Sequence, residues 1–146
     1  MKLYTIGFTK KTAEKFFTLL QKNNIEKLID IRLNPEGQLA GFAKKDDLKY
    51  FLYHLIGCEY QHIEALAPTN DILTDYRKDK NWDRYVERFE ALMDERDIPQ
   101  SLEPIVFEER KCCLLCSEAT PEKCHRRLVA ERLSHNWGCV DINHLI

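Results

Sequence analysis

Apolar residues recur along this chain with two alternating periods, one of a strand and one of a helix. Lys2-Leu-Tyr-Thr-Ile6 reads as a short strand ending at Gly7. From Thr12 to Asn23, Ala13, Phe16, Phe17, Leu19 and Leu20 fall close to helical spacing, and Thr9 or Thr12 would cap that helix. Lys27 to Ile31 is a second strand, apolar enough for burial on both faces. Asn34-Pro35 and Gly37 then break the chain into a loop reaching about Lys45. Asp46 to Ile56 predicts a helix capped by Asp46 or Asp47, with Leu48, Phe51, Leu52 and Leu55 inward and Gly57 as its stop. Glu59 to Ile63 is a third strand. Residues 65–80 show few periodic apolar positions and predict a long functional loop. Trp82 to Arg96 is an amphipathic helix through Tyr85, Val86, Phe89, Leu92 and Met93, and Ser101 to Glu109 a shorter one containing Pro104. Lys111 to Cys116 is a fourth strand. Thr120-Pro121 supplies an N-cap and a first helical residue for a helix to about Asn136. Gly138 ends it, and Cys139 to Ile142 is a fifth strand.

Strands separated by helices predict an α/β fold: a mostly parallel sheet of about five strands, covered on both faces and joined by right-handed crossovers. The 146 residues fit a single domain, 1–146, with no repeat, linker or low-complexity segment. Ligands of such sheets bind beyond the carboxyl ends of the strands. Those ends here carry Gly7-Phe-Thr9, Asp30-Ile-Arg32, His62-Ile-Glu64, Cys116-Ser-Glu118 and Asn143-His144. Every one of them is polar or reactive, while the strand interiors are mainly apolar.

Composition narrows the partners. Hydrophobic residues make up 44% and charged residues 32%, with a formal net charge of −2. No basic excess marks an extended nucleic-acid surface or an anionic membrane partner. No apolar run has the length of a bilayer span, and the first residues lack a signal-peptide core, so a cytoplasmic location is expected. Six cysteines in so apolar a chain are expected to be reduced thiols. Cys58, Cys112, Cys113 and Cys139 lie in or beside apolar strand-like segments, where a free cysteine packs as a small hydrophobe. Cys116 and Cys124 sit instead among polar groups.

The densest chemistry is Cys116-Ser-Glu118 followed by Cys124-His125-Arg126-Arg127. Three readings are open. In one, Cys116 is a thiolate nucleophile beside His125, with Arg126 and a helix N-terminus binding an anion. In another, Cys116, Cys124 and His125 bind a metal, with His62 or His144 as fourth ligand. Cys-x7-Cys-His lacks the usual closely spaced cysteine pair, so no metal is assigned. In the third, the cysteines pack inward, Glu118 pairs with an arginine, and His125 bonds backbone. Asp30 and Arg32 share one strand face. They form either a buried ion pair or an anion site in which Asp30 orients Arg32. Gly7-Phe-Thr9-Lys-Lys-Thr12 is either a tight turn with a cap or an anion cradle through Gly7 and Thr9, although it matches no standard phosphate-binding motif. Tyr76-Arg77 and Arg84-Tyr85 could cover the site as a lid. His54 and His135 fall on helices as surface or packing residues.

Thr5-Ile-Gly7-Phe-Thr9, Asp30-Ile-Arg32-Leu-Asn-Pro35 and Leu114-Leu-Cys116-Ser-Glu118 with Cys124-His125-Arg126 resemble, in order and spacing, the signatures of the "domain of unknown function 488" family. That family typically carries Gly-His-Ser or similar after its first strand, and Phe8 stands in place of the histidine. The resemblance implies a compact, Rossmann-like three-layer domain and brings no established reaction.

The residues themselves point to an enzyme acting on a phosphate-bearing small molecule, a nucleotide or a nucleic-acid end. Cys116, Glu118 and His125 would carry the chemistry, Gly7, Thr9, Arg32 and Arg126 would bind the anion, and Asp30 would orient Arg32. The alternatives are a non-catalytic nucleotide- or anion-binding module, or a metal-binding domain. No cofactor and no oligomeric state is legible.

Overall fold

A computed structural model describes residues 2–36, 41–138 and 140–146. Strands β1 (Lys2–Gly7), β2 (Lys27–Asp30), β3 (Glu59–His62), β4 (Cys112–Cys116) and β5 (Asp141–Leu145) form one sheet in the order β3-β2-β4-β1-β5, every pair parallel. The helices are α1 (Ala13–Lys22), α2 (Lys45–Ile56), α3 (Asn70–Asp79), α4 (Trp82–Glu95), α5 (Ile105–Glu108) and α6 (His125–Asn136). This is the expected α/β, Rossmann-like arrangement of three layers.

Alternation along the central strands builds two cores. Leu3, Cys112 and Leu114 point to one face and pack with Tyr85, Phe89 and Met93 of α4 and with Val129 and Leu133 of α6. Tyr4, Ile6, Cys113 and Leu115 point to the other face and pack with Phe16, Phe17 and Leu20 of α1 and with Leu48 and Leu52 of α2. Both faces of β4 are covered, which is why Cys-Cys-Leu-Leu-Cys contains no polar side chain. The crossover helix after β1 lies on one face and that after β4 on the other, yet β1 and β4 are neighbours. A crevice therefore opens at their carboxyl ends, the switch point where ligands of such sheets bind.

Several elements differ from the sequence expectation. The predicted loop over 65–80 contains a 3-10 turn at Glu64–Leu66 and the helix α3. The Thr69 hydroxyl caps α3 by accepting from the Ile72 amide, and Ile72, Leu73 and Tyr76 form a narrow apolar edge that the many charges obscure. Helix α6 starts at His125, not at Thr120-Pro121, because residues 117–124 fold back over the strand end and Cys124 turns inward as the N-cap position. Strand β5 runs to Leu145, held by pairing of Ile142 with Leu3 and Leu145 with Ile6. Asp46 and Asp47 lie in the first turn of α2 and do not cap it; Lys44 occupies that position without a side-chain bond. Helix α5 keeps only four residues, after Pro104. Gly57 at φ 62° ends α2, and Thr12 caps α1 by accepting from the Lys15 amide at 3.1 Å. The expectations for Gly37 and Cys139 lie outside the described residues.

Candidate functional site

The crevice at the ends of β1 and β4 is a cavity of about 560 Å³. Phe8 and Thr9 line it from the loop after β1, Arg32 from the loop after β2, and Cys116, Ser117 and Glu118 from the end of β4. The start of α6 adds Cys124 and His125, and Tyr76, Arg77, Trp82 and Tyr85 close the far wall from α3 and α4. Two backbone bonds extend the sheet into the site and hold these loops: the Thr9 amide donates to the Ser117 carbonyl at 3.0 Å, and the Ile31 amide to the Leu115 carbonyl at 3.1 Å.

The floor holds the reactive groups. Nε2 of His125 lies 2.7 Å from the Ile31 carbonyl, so that nitrogen carries the proton. Nδ1 is then left with a lone pair, 3.3 Å from Sγ of Cys116. Burial pushes the imidazole down to about 4, with the Arg126 charge adding to the effect, so the ring is neutral at physiological pH. The Sγ atoms of Cys116 and Cys124 are in contact. Their Cα atoms are 7.2 Å apart, wider than the roughly 4.4–6.8 Å of a relaxed disulfide. So close a sulfur contact departs from the separate reduced thiols expected from the sequence, while the backbone spacing suits two facing thiols better than a disulfide.

The other described cysteines are packed as expected. Burial pushes the Cys58 thiol up to about 12 and the Cys112 thiol up to about 11, and raises that of fully enclosed Cys113 as well. With peptide mapping, iodoacetamide at pH 8 is expected to label Cys116 and Cys124 at the pocket well before Cys58, Cys112 or Cys113, since only thiolate reacts. Equal labelling of all five would contradict this packing.

One wall is a bidentate ion pair. Arg32 donates from Nε to one Asp30 oxygen at 2.8 Å and from Nη2 to the other at 2.7 Å, and Nη2 also donates to the Ala43 carbonyl at 2.8 Å. The Tyr60 hydroxyl donates to the same carboxylate at 2.6 Å, and burial beside that charge raises its own pKa. His62 Nε2 lies 2.7 Å from the Arg32 carbonyl. Asp30 thus sits below the pocket and presents Arg32 to it. The Arg32 guanidinium also stands over the Phe8 ring, 5.3 Å from its centre. The opposite wall is aromatic: Trp82 stacks on Tyr85 at 4.9 Å, Tyr85 on Phe89 at 6.1 Å, and Phe89 approaches His125 at 5.7 Å. Exposed Arg77, Lys80 and Lys123 ring the mouth, where Glu118 is also exposed.

Of the residues singled out in the sequence, the fold brings Thr9, Arg32, Cys116, Glu118 and His125 to the cavity. Gly7, Asp30 and Arg126 lie beneath it. Arg126 has no exposed surface. It donates from Nη1 to the Glu118 carbonyl, from Nη2 to that of Ala119 at 3.5 Å and from Nε to the Thr5 hydroxyl at 3.3 Å. These bonds tie all three of its nitrogens to the chain, so it braces the 117–119 loop and does not line the cavity. Thr5 in turn bonds His144 Nδ1 at 2.6 Å. Gly7 is where the Glu118 carbonyl crosses β1, leaving no room for a side chain. Arg84 points away and pairs with Asp79 at 3.1 Å. Phe8, Trp82, Lys80 and Lys123 were missed as site residues. For Trp82 a signal existed: it shares one face of α4 with Tyr85 and Phe89, an aromatic stripe longer than a core helix needs.

No curated protein and no solved structure matches the chain. A family model does, over residues 12–133, which takes in Asp30, Arg32 and the whole Cys116-to-Arg126 stretch and leaves the 5–9 loop outside. With well over half of its length matched, the chain belongs to the family described as "Domain of unknown function DUF488".

Proposed function

We propose that this protein is an enzyme acting on a phosphate-bearing small molecule, a nucleotide or a nucleic-acid end, seated at the carboxyl ends of β1 and β4. One observation carries the reading: a single cavity joins an aromatic wall, a ring of cations and a floor of thiols and imidazole. A planar base stacks on rings such as Trp82 and Tyr76. Arg77, Lys123 and the pocket-facing edge of Arg32 suit a phosphate. Cys116 and His125 carry the chemistry on the floor, and exposed Glu118 gives or takes a proton at the mouth.

The test is intrinsic tryptophan fluorescence, to which Trp82 contributes, with a nucleoside monophosphate, the free nucleoside and inorganic phosphate as probes. The monophosphate is expected to quench most strongly. Replacing Arg77 and Lys123 together by alanine is expected to weaken its binding by about tenfold, the loss of roughly one charge-assisted contact. Arg84→Ala, outside the pocket, should leave it unchanged. No response to saturating monophosphate sinks the reading. Phosphorus NMR of the incubated nucleotide then tests catalysis: wild type should form product and Cys116→Ser should bind without forming it. Binding by wild type with no product would reduce the protein to a binding module.

A further inference from the structure

We propose that Cys116, Cys124 and His125 bind one thiophilic divalent cation of the zinc class, with its fourth coordination position open to the pocket. The two Sγ atoms and Nδ1 of His125 all lie within 4.8 Å of one another, and all three residues are buried. Two thiolates and an imidazole select zinc-like ions over magnesium or calcium, which take oxygen donors. The histidine is already in the ligating tautomer. Its Nε2–H is committed to the Ile31 carbonyl, and the Nδ1 lone pair faces the sulfurs. A backbone carbonyl on the far nitrogen is the usual support of a metal-bound imidazole.

The spacing of the backbone fits as well. With Zn–S bonds of about 2.3 Å, a tetrahedral site holds two sulfurs about 3.8 Å apart. The two sulfurs stand closer than that, and rotation about the Cα–Cβ bonds of residues whose Cα atoms are 7.2 Å apart would open them to it, whereas a disulfide asks for a shorter Cα spacing. Sequence spacing argues against zinc because a close cysteine pair is lacking. The fold supplies the proximity instead, by ending β4 at Cys116 and turning Cys124 inward at the start of α6.

Among the described residues, no fourth histidine, cysteine or carboxylate joins the group. His62 is held by the Arg32 carbonyl and His144 by Thr5. Three protein ligands with one open position is the pattern of catalytic zinc, while structural zinc has four. All three ligands line the cavity, so the open position faces whatever enters it. Metal binding stands on the donor set alone; the use of its open position rests on the reading of the cavity as a ligand site. The cysteines then act through the ion they hold. Uptake releases the thiol protons to solvent and changes no oxidation state.

The experiment is titration of the reduced, metal-free full chain with cobalt(II). One equivalent is expected to give tetrahedral d–d bands and thiolate charge-transfer absorption, both displaced by zinc. Cys124→Ser, checked for folding by circular dichroism, should lose the charge-transfer band. In wild type, zinc should protect Cys116 and Cys124 from iodoacetamide and leave the labelling of the other cysteines unaltered, a readout that needs no variant. Absence of stoichiometric bands and of protection overturns the site, as does a Cys116–Cys124 disulfide in a protein that takes up no metal after reduction. A nucleoside monophosphate that shifts the cobalt bands supports the open position; one that quenches Trp82 and leaves them unchanged overturns it. Nucleotide quenching without cobalt bands overturns the metal site and leaves the pocket reading intact.

Discussion

Asp30→Ala is expected to lower the unfolding free energy by about 3–5 kcal/mol, the cost of removing one partner of a buried ion pair. The carboxylate is fully enclosed and accepts from the Arg32 backbone amide, from two nitrogens of its guanidinium and from the Tyr60 hydroxyl. Its removal strands a nearly buried arginine with only the Ala43 carbonyl and the face of Phe8. For a chain of this size the loss corresponds to a fall in Tm of roughly 10–15 °C. Tyr60→Phe removes only one donor and is expected to cost about 1 kcal/mol. Thermal unfolding of the two variants checks this, and an Asp30→Ala Tm within a few degrees of wild type would mean that the pair contributes little. The functional consequence separates from the structural one in Asp30→Asn. That variant keeps the shape of the side chain and should still weaken nucleotide binding if Asp30 positions Arg32.

Gly7→Ala is the second large effect. A Cβ at this position would lie 1.6 Å from the Glu118 carbonyl oxygen and 2.6 Å from Nη1 of Arg126. The first is backbone and cannot swing aside, so the 117–119 loop must move or β1 must part from β4. Overpacking of this kind costs about 3 kcal/mol or more. Because the same loop joins Cys116 to Cys124, the floor should be disturbed along with stability, so iodoacetamide should lose its preference for those two thiols. Gly41→Ala is the control, since a Cβ there meets nothing within 4 Å; its stability should stay within about 1 kcal/mol of wild type. Equal stability of Gly7→Ala and Gly41→Ala would show that the loop yields at little cost.

The long elements are legible from residue pattern because their burial is one-sided and periodic. Helices α1 and α4 each present an apolar stripe, and β4 is apolar throughout because helices cover both of its faces. Helix α3 is not legible, since its inner edge is only Ile72, Leu73 and Tyr76 among charged residues. The start of α6 is misjudged for a different reason. Thr120-Pro121 is good helix-start chemistry locally, but Arg126 reaches back to the Glu118 and Ala119 carbonyls and keeps that stretch as a loop. Such a long-range bond leaves no trace in local propensity.

The residue pattern by itself determines the α/β class and the concentration of reactive groups at strand ends, including Cys116, Glu118, His125 and Arg126, because apolar periodicity and turn chemistry are local properties. The tertiary structure decides what those groups face. It buries Arg126 as a brace beneath the loop and joins Arg32 to Asp30. It also draws Cys116, Cys124 and His125 within 4.8 Å across a spacing that looks too wide for a shared site. Those outcomes depend on strand order and on where the 117–124 loop crosses the sheet, and both are set by packing between segments far apart in the chain.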